Sequence, residues 1–254
     1  MYSQYLPVVK ENANEDIAEL LPKAVQGKLG RRDMLFFCQI HRIAGIAALF
    51  LDGDAEVFLH RLQQSGGAFC NFLKREPEEQ KVTSQAAPFF DAIAALDLAC
   101  AREIALNARA TWNPQEEYED DFLYVYFLMT QFFLKGTPAE GQALLDRYDT
   151  LLAGDDDPRF QLCQAFFKND PPGFEAAMHS FLEREKERYR KLIRGEVIAQ
   201  ESAATEAKLN VEGLVLLRLA QQRGFPVQKN YLFIPSVARK APMKPYDPDA
   251  WTMA

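Results

Sequence analysis

Three histidines, four cysteines and a surplus of carboxylates are the side chains of this sequence with chemistry to offer. Glu175, His179 and Glu183 follow one another at i, i+4 and i+8, a spacing that sets three metal-ligating types on one helix face. Met178, Phe181 and Leu182 mark the other side of that helix as the buried one. The triad therefore reads as a solvated face, and no metal is expected. Glu56 and His60, also four apart, read as an ordinary surface pair; His41 falls between the apolar positions of a helical pattern. Gln64-Ser65-Gly66-Gly67 comes nearest to a nucleophile elbow. Gly-x-Ser-x-Gly is absent, however, and the fragment falls inside a helical pattern rather than at a strand-to-helix turn. There is no phosphate-binding glycine loop. Cys38, Cys70, Cys100 and Cys163 lie about thirty residues apart or more, form no CxxC, and sit among apolar neighbours. They read as reduced thiols packed as small hydrophobes. The expectation is a protein without a catalytic set and without a cofactor.

Charge is the more informative feature. Glu116, Glu117, Glu119, Asp120 and Asp121 form an acidic cluster interrupted only by Tyr118, and Asp155, Asp156 and Asp157 form a second. Each is either a solvated helix start or a binding surface for basic groups, and these eight residues are the candidate partner-binding set. The spacing of the second cluster does not continue into a calcium loop. Residues 181–194 carry Arg184, Lys186, Arg188, Arg190, Lys191 and Arg194 against Glu183, Glu185 and Glu187. Glu187 with Lys191 makes a favourable i, i+4 pair, and the bases lie towards the helix C-terminus, as the helix dipole prefers. A self-satisfied charged helix is the expectation there. The 254-residue chain carries 29 Lys and Arg against 36 Asp and Glu, a net charge of −7. A generally basic nucleic-acid footprint is therefore absent, and an acidic balance suits a basic partner.

The elements that must position these residues are helical. From Met34 to Leu51 apolar residues recur at three-four spacing, Gly53 closes the helix, and Asp54 is placed to cap the next. Val57, Phe58, Leu62, Phe69 and Leu73 continue the pattern, with Gly66-Gly67 weakening its middle. Residues 74–87 read as a loop. A further helix is expected from Pro88 to about Ala108. Asn113-Pro114 then starts another, whose first turns hold the acidic cluster and whose body, Phe122 to Met129, is apolar nearly all round. Thr137-Pro138, Asp157-Pro158 and Asp170-Pro171 each open a helix or close a turn before one. Asn210 caps Val211 to Arg223, and Gly224 ends it. Val227, Tyr231, Phe233 and Ile234 form an apolar extended tail expected to lie on the bundle. The expected fold is all-α: one domain over residues 1–254 of about nine helices, partly in stacked hairpins, with residues 1–12 and 240–254 as irregular tails. No clean internal repeat supports a regular solenoid. Met1 to Lys10 lacks the basic start and apolar run of a signal peptide. The longest apolar segment, residues 122–134, falls short of the ~20 residues that cross a bilayer. A soluble, cytoplasmic protein is expected, with no membrane partner.

Residues 211–235, VEGLVLLRLAQQRGFPVQKNYLFIP, join an apolar helix ending at Leu219-Ala220 and Arg223-Gly224 to Phe225-Pro226-Val227, then Tyr231 and a closing Ile234-Pro235. This segment resembles the end of the immunity protein 49 family. Phe174, Phe181 and Arg188-Tyr189 upstream fit the resemblance, which extends over residues 35–238. It departs from the family at Tyr231-Leu-Phe-Ile-Pro, where a shorter Tyr-Leu-Pro step is expected. The resemblance implies an all-helical, non-enzymatic protein that neutralises a cognate bacterial toxin by stoichiometric binding; it carries no catalytic motif. A helical adaptor for a peptide or protein partner, or a helical small-ligand-binding domain, is the alternative that the residues themselves leave open.

Overall fold

The computed structural model describes residues 4–243 and 247–253. Among these, the chain forms eleven α-helices and three short 3-10 turns, with no strand beyond an isolated bridge between Tyr231 and Ile234. The helices are α1 (Leu6–Val25), α2 (Arg31–Asp52), α3 (Ala55–Leu73), α4 (Ala87–Ala94), α5 (Leu98–Asn107), α6 (Glu119–Phe132), α7 (Pro138–Leu152), α8 (Pro158–Lys168), α9 (Pro171–Arg194), α10 (Gln200–Ala204) and α11 (Val211–Gln222).

Local chemistry sets most of the boundaries. Gly53 ends α2 in the left-handed region at φ 68°, and the Asp54 carboxylate accepts from Val57 N to start α3. Thr137 and Glu140 close a capping box around Pro138. Asp157, Asp170 and Asn210 cap α8, α9 and α11 with their side chains. Each cap answers backbone N–H groups that have no partner within the helix.

The helices assemble by neighbour packing. The α1–α2 and α2–α3 pairs are hairpins joined by short turns; α3 also packs on α4 and α5, and α4 packs on α11. The α6 to α9 run forms a second stack. The α6 run Phe122 to Met129 is buried on nearly every side except at Tyr126, and residues 213–220 of α11 are buried throughout. Phe166, Phe174 and Phe225 form an aromatic junction, with centroid distances of 5.1, 5.7 and 5.9 Å, that ties α8, α9 and the tail together. One hydrophobic cluster runs through all of these elements.

Four sequence expectations change. Residues 1–3 of the expected tail 1–12 lie outside the described residues, and from Leu6 onwards the segment is helix, not irregular: Leu6, Val9, Ala13 and Ile17 of α1 bury a stripe that interspersed Asn and Glu obscured. The segment 88–108 is two helices, because Leu96 adopts φ 62° and Asp97 caps a fresh start by accepting from Cys100 N. The helix expected from Pro114 starts only at Glu119, since Glu116 N and Glu117 N turn back onto the Asn113 carbonyl. The final segment is not wholly irregular: Ala250–Thr252 form a 3-10 turn with Trp251 buried on Gly67, where a Cβ would come within 3.0 Å of the indole. Residues 244–246 and 254 of that expected tail lie outside the described residues. The tail residues Val227, Tyr231 and Ile234 do lie on the bundle, Ile234 fully buried and Phe233 half-buried.

The helix that is long and apolar enough to cross a membrane is α2, not α6. Of its qualifying window 67% is buried inside the bundle, so its apolar face is the protein's own core.

Candidate partner-binding groove

Charged residues inside otherwise apolar helices build the floor of a groove. Arg42 on α2 donates from Nε to Asp91 Oδ1 at 2.7 Å, from one terminal nitrogen to Glu206 at 3.3 Å, and from the other to the Ala87 carbonyl at 2.7 Å. Ser65 Oγ on α3 donates to the second Asp91 oxygen at 2.6 Å. Gln39 reaches Glu206 at 3.0 Å. Burial works against the Arg42 charge, and Asp91 and Glu206 outweigh it and hold the guanidinium protonated. Burial likewise pushes the Asp91 carboxyl up, against the pull of Arg42 and Ser65. A buried pair with this many hydrogen bonds fixes the relative positions of α2, α3, α4 and the segment after α10.

A second centre lies on Arg159 at the start of α8. It forks onto both oxygens of Glu212 at 2.9 Å, donates to Asp121 at 3.0 Å, and lies over the Tyr124 ring at 4.9 Å. The guanidinium thus joins the first turns of α6, α8 and α11. Arg188 makes a two-pronged bond to Glu185, which Asn210 also approaches.

Three adjoining cavities run over these centres. One of about 700 Å³ lies among Arg31, Glu79, Arg109 and Glu116. The next, about 740 Å³, shares Arg31 and is walled by Phe36, Gln39, Arg42, Ala87 and Glu206. The third, about 230 Å³, shares Arg42, Ser84 and Glu206 and ends at Arg159, Arg188 and Glu212. Phe36 is 47% exposed on the wall of the middle cavity, and Arg32 is exposed beside it.

The acidic segment 116–121 touches this groove at separate points: Glu116 lines the first cavity, and Glu117 and Asp121 bond Ser84 and Arg159, which line the others. Glu116 pairs with Arg31 at 2.7 Å in the first cavity. Glu117 accepts from Ser84 N at 2.7 Å and Asn113 N at 3.1 Å, and its carbonyl takes the Trp112 indole N–H. These bonds knit the turn that delays α6. Glu119 pairs with Arg147 at 2.6 Å, and Asp121 with Arg159. In the second cluster Asp156 accepts from Gln161, and Asp157 is buried, capping α8 while accepting from the Tyr148 hydroxyl at 2.8 Å. Arg159 brings the two clusters together, with Asp121 on one side and Asp157 two residues before it. The clusters are less open than helix starts in general: Glu116, Asp155 and Asp156 are exposed, Glu117, Glu119, Asp120 and Asp121 are half-buried, and Asp157 is buried. Asp120 and Asp155 alone of the eight have a side chain with no hydrogen bond or ion pair among the described residues.

Glu175, Glu56 and Glu183 among the remaining sequence candidates have structural partners. Glu175 accepts from the Tyr231 hydroxyl at 2.8 Å and from Gln228, fastening α9 to the tail. Glu56 accepts from Met243 N at 2.7 Å. Among the described residues no group of three or more His, Cys, Asp or Glu side chains is arranged to hold a metal ion. On α9 the charges pair at i, i+3, Glu183 with Lys186, Glu185 with Arg188 and Glu187 with Arg190, rather than Glu187 with Lys191. Sequence reading missed Arg42, Asp91, Arg159, Glu206 and Glu212. The available signal was Asp91 inside Phe89-Phe90-Asp91-Ala92-Ile93, a charge where the helix is otherwise wholly apolar.

A family model described as immunity protein 49 matches residues 37–238, which is most of the chain and includes the greater part of the groove. The chain belongs to the immunity protein 49 family. The match begins within α2 and ends at the last turn of the docked tail, so the family region contains Arg42, Asp91, Arg159, Glu206 and Glu212 together, while α1 and the Trp251 segment lie outside it. No curated protein and no solved structure matches the chain.

Proposed function

We propose that this protein is a non-enzymatic immunity protein of the bacterial cytoplasm that binds a cognate toxin stoichiometrically and blocks it. Membership of the immunity protein 49 family over residues 37–238 carries this reading. The groove between α2 and the 116–121 segment is the contact surface that its geometry favours. Its floor is locked by ion pairs, which limits the entropy lost on docking, and Phe36 stands exposed on its wall as an aromatic anchor. Glu116 supplies a carboxylate at the groove, and Asp120, Asp155 and Asp156 supply further carboxylates outside its lining, which together would steer a toxin with a basic surface, in keeping with the −7 net charge. Glu117, Glu119, Asp121 and Asp157 hold the rim in shape through their internal bonds.

The test is to locate a toxin-domain gene beside this one and to express it with and without this chain. Growth in the presence of both and arrest with the toxin alone is the expected result. Arrest in both cases, with this chain in excess, would remove the immunity reading.

A further inference from the structure

Two of the four free thiols meet at the interface of α3 and α5. Gly66 and Cys70 lie four residues apart on one ridge of α3, and a Cβ at Gly66 would sit 3.4 Å from the Cys100 sulfur. One turn beyond Cys70, Lys74 pairs with Glu103 of α5 at 3.2 Å. Cys70 is thus bracketed by two contacts to α5, which set its thiol beside that of Cys100. Cys100 is partly exposed and Cys70 is buried. We propose that Cys70 and Cys100 are a modification site, a dithiol that a hydroperoxide closes to a disulfide between α3 and α5.

The neighbouring Cys100 thiol, with Lys74 assisting, draws the Cys70 thiol below its ordinary range, and the same contact, with burial, pushes Cys100 up. Cys70 is therefore the attacking thiolate. Its sulfur takes one oxygen of hydrogen peroxide, the O–O bond breaks, and the departing hydroxide leaves as water once protonated. Cys70 is then a sulfenic acid. The Cys100 sulfur attacks it, the S–S bond forms as the S–O bond breaks, and a second water carries away the Cys100 proton. Two thiols lose two electrons, and one peroxide accepts them. Cys38 and Cys163 do not compete: both are fully buried, burial raises both thiols, and Cys38 donates to the Ser65 carbonyl at 3.4 Å.

The test uses the full chain treated with hydrogen peroxide, freed of excess peroxide, alkylated in denaturant and then mapped by mass spectrometry without reduction. The four free thiols should fall to two, with the segments holding Cys70 and Cys100 joined and lighter by two hydrogen atoms, and dithiothreitol should restore all four. As a second probe, phenylarsine oxide, which bridges neighbouring thiols, should bind one equivalent to the native chain and none to Cys100→Ser, whose folding is checked by circular dichroism. Four thiols persisting after peroxide, a Cys70 sulfinic acid without the cross-link, or a bond joining two chains would overturn the proposal.

Discussion

His41 sits fully buried on α2, edge-on to Phe37 at 4.7 Å. The Gln64 amide beside it already accepts from Arg61 and donates to the Ala250 and Met253 carbonyls. Burial, with Arg61 and His60 adding repulsion, pushes the His41 imidazole down to about 3. A depressed folded value means that the unfolded chain takes up a proton that the folded chain refuses. The resulting stability is present above the ordinary histidine value of ~6.5 and is lost as pH falls from there towards 3. Between pH 7.5 and pH 5 His41 should account for a loss of about 2 kcal/mol, at ~1.4 kcal/mol per pH unit below 6.5. Urea unfolding of the wild type and of His41→Met at both pH values measures it. An equal pH dependence in the two proteins would assign the acid sensitivity elsewhere. Asp91 offers a second residue-scale test. It is 1% exposed on its side chain and shares Arg42, itself 13% exposed, with Glu206. Asp91→Ala should cost about 3–5 kcal/mol, because it strands most of a buried guanidinium. Asp91 was visible in the sequence as a misplaced charge, but its partner was not. Arg42 falls between apolar positions on a helix whose polar side looked solvated, and nothing in spacing shows that two helices turn those sides towards each other.

At the scale of elements, caps and turns were the legible features, because Gly53-Asp54, Thr137-Pro138, Asp157-Pro158, Asp170-Pro171 and Asn210 act on residues only a few positions away. The break at Leu96 was not legible. Its alanine-rich surroundings favour continuous helix, and Asp97 wins by capping Cys100 N while Leu96 takes a left-handed turn that costs roughly 1 kcal/mol. The Gly66-Gly67 pair looked like a weakness inside α3 and is a packing requirement. A Cβ at Gly66 would meet Ala92 of α4 at 2.9 Å, and one at Gly67 would meet Trp251 at 3.0 Å. Gly66→Val should destabilise by about 1–3 kcal/mol through overpacking, although glycine-to-valine on an exposed helix face would be mildly favourable. Trp251→Ala should cost about 3 kcal/mol, since the indole is buried on α3. Thermal melts of both variants check these values. A Trp251→Ala protein melting with the wild type would make the terminal segment an appendage.

Across the whole molecule, the acidic residues divide by what they touch, and the division is testable. Asp120→Lys with Asp155→Lys changes two carboxylates that lack internal partners, so stability should stay within about 0.5 kcal/mol. Association with the toxin should slow at low salt and converge with the wild type as salt rises. Asp157→Ala removes the α8 cap and the Tyr148 hydroxyl's acceptor, and should instead cost about 2 kcal/mol of stability. The all-α class and the family were readable from apolar periodicity and the 211–235 segment. The groove was not, because it forms only where α2, the loop before α4, the segment before α6 and the turn before α11 converge from distant parts of the chain.

The most direct measurement is a titration of the cognate toxin's activity with the purified chain at toxin concentrations well above the dissociation constant. Stoichiometric blockade predicts a linear loss of activity ending sharply at a fixed molar ratio, unchanged by longer incubation. Progressive inactivation by substoichiometric amounts, or activity surviving a large excess, would contradict it.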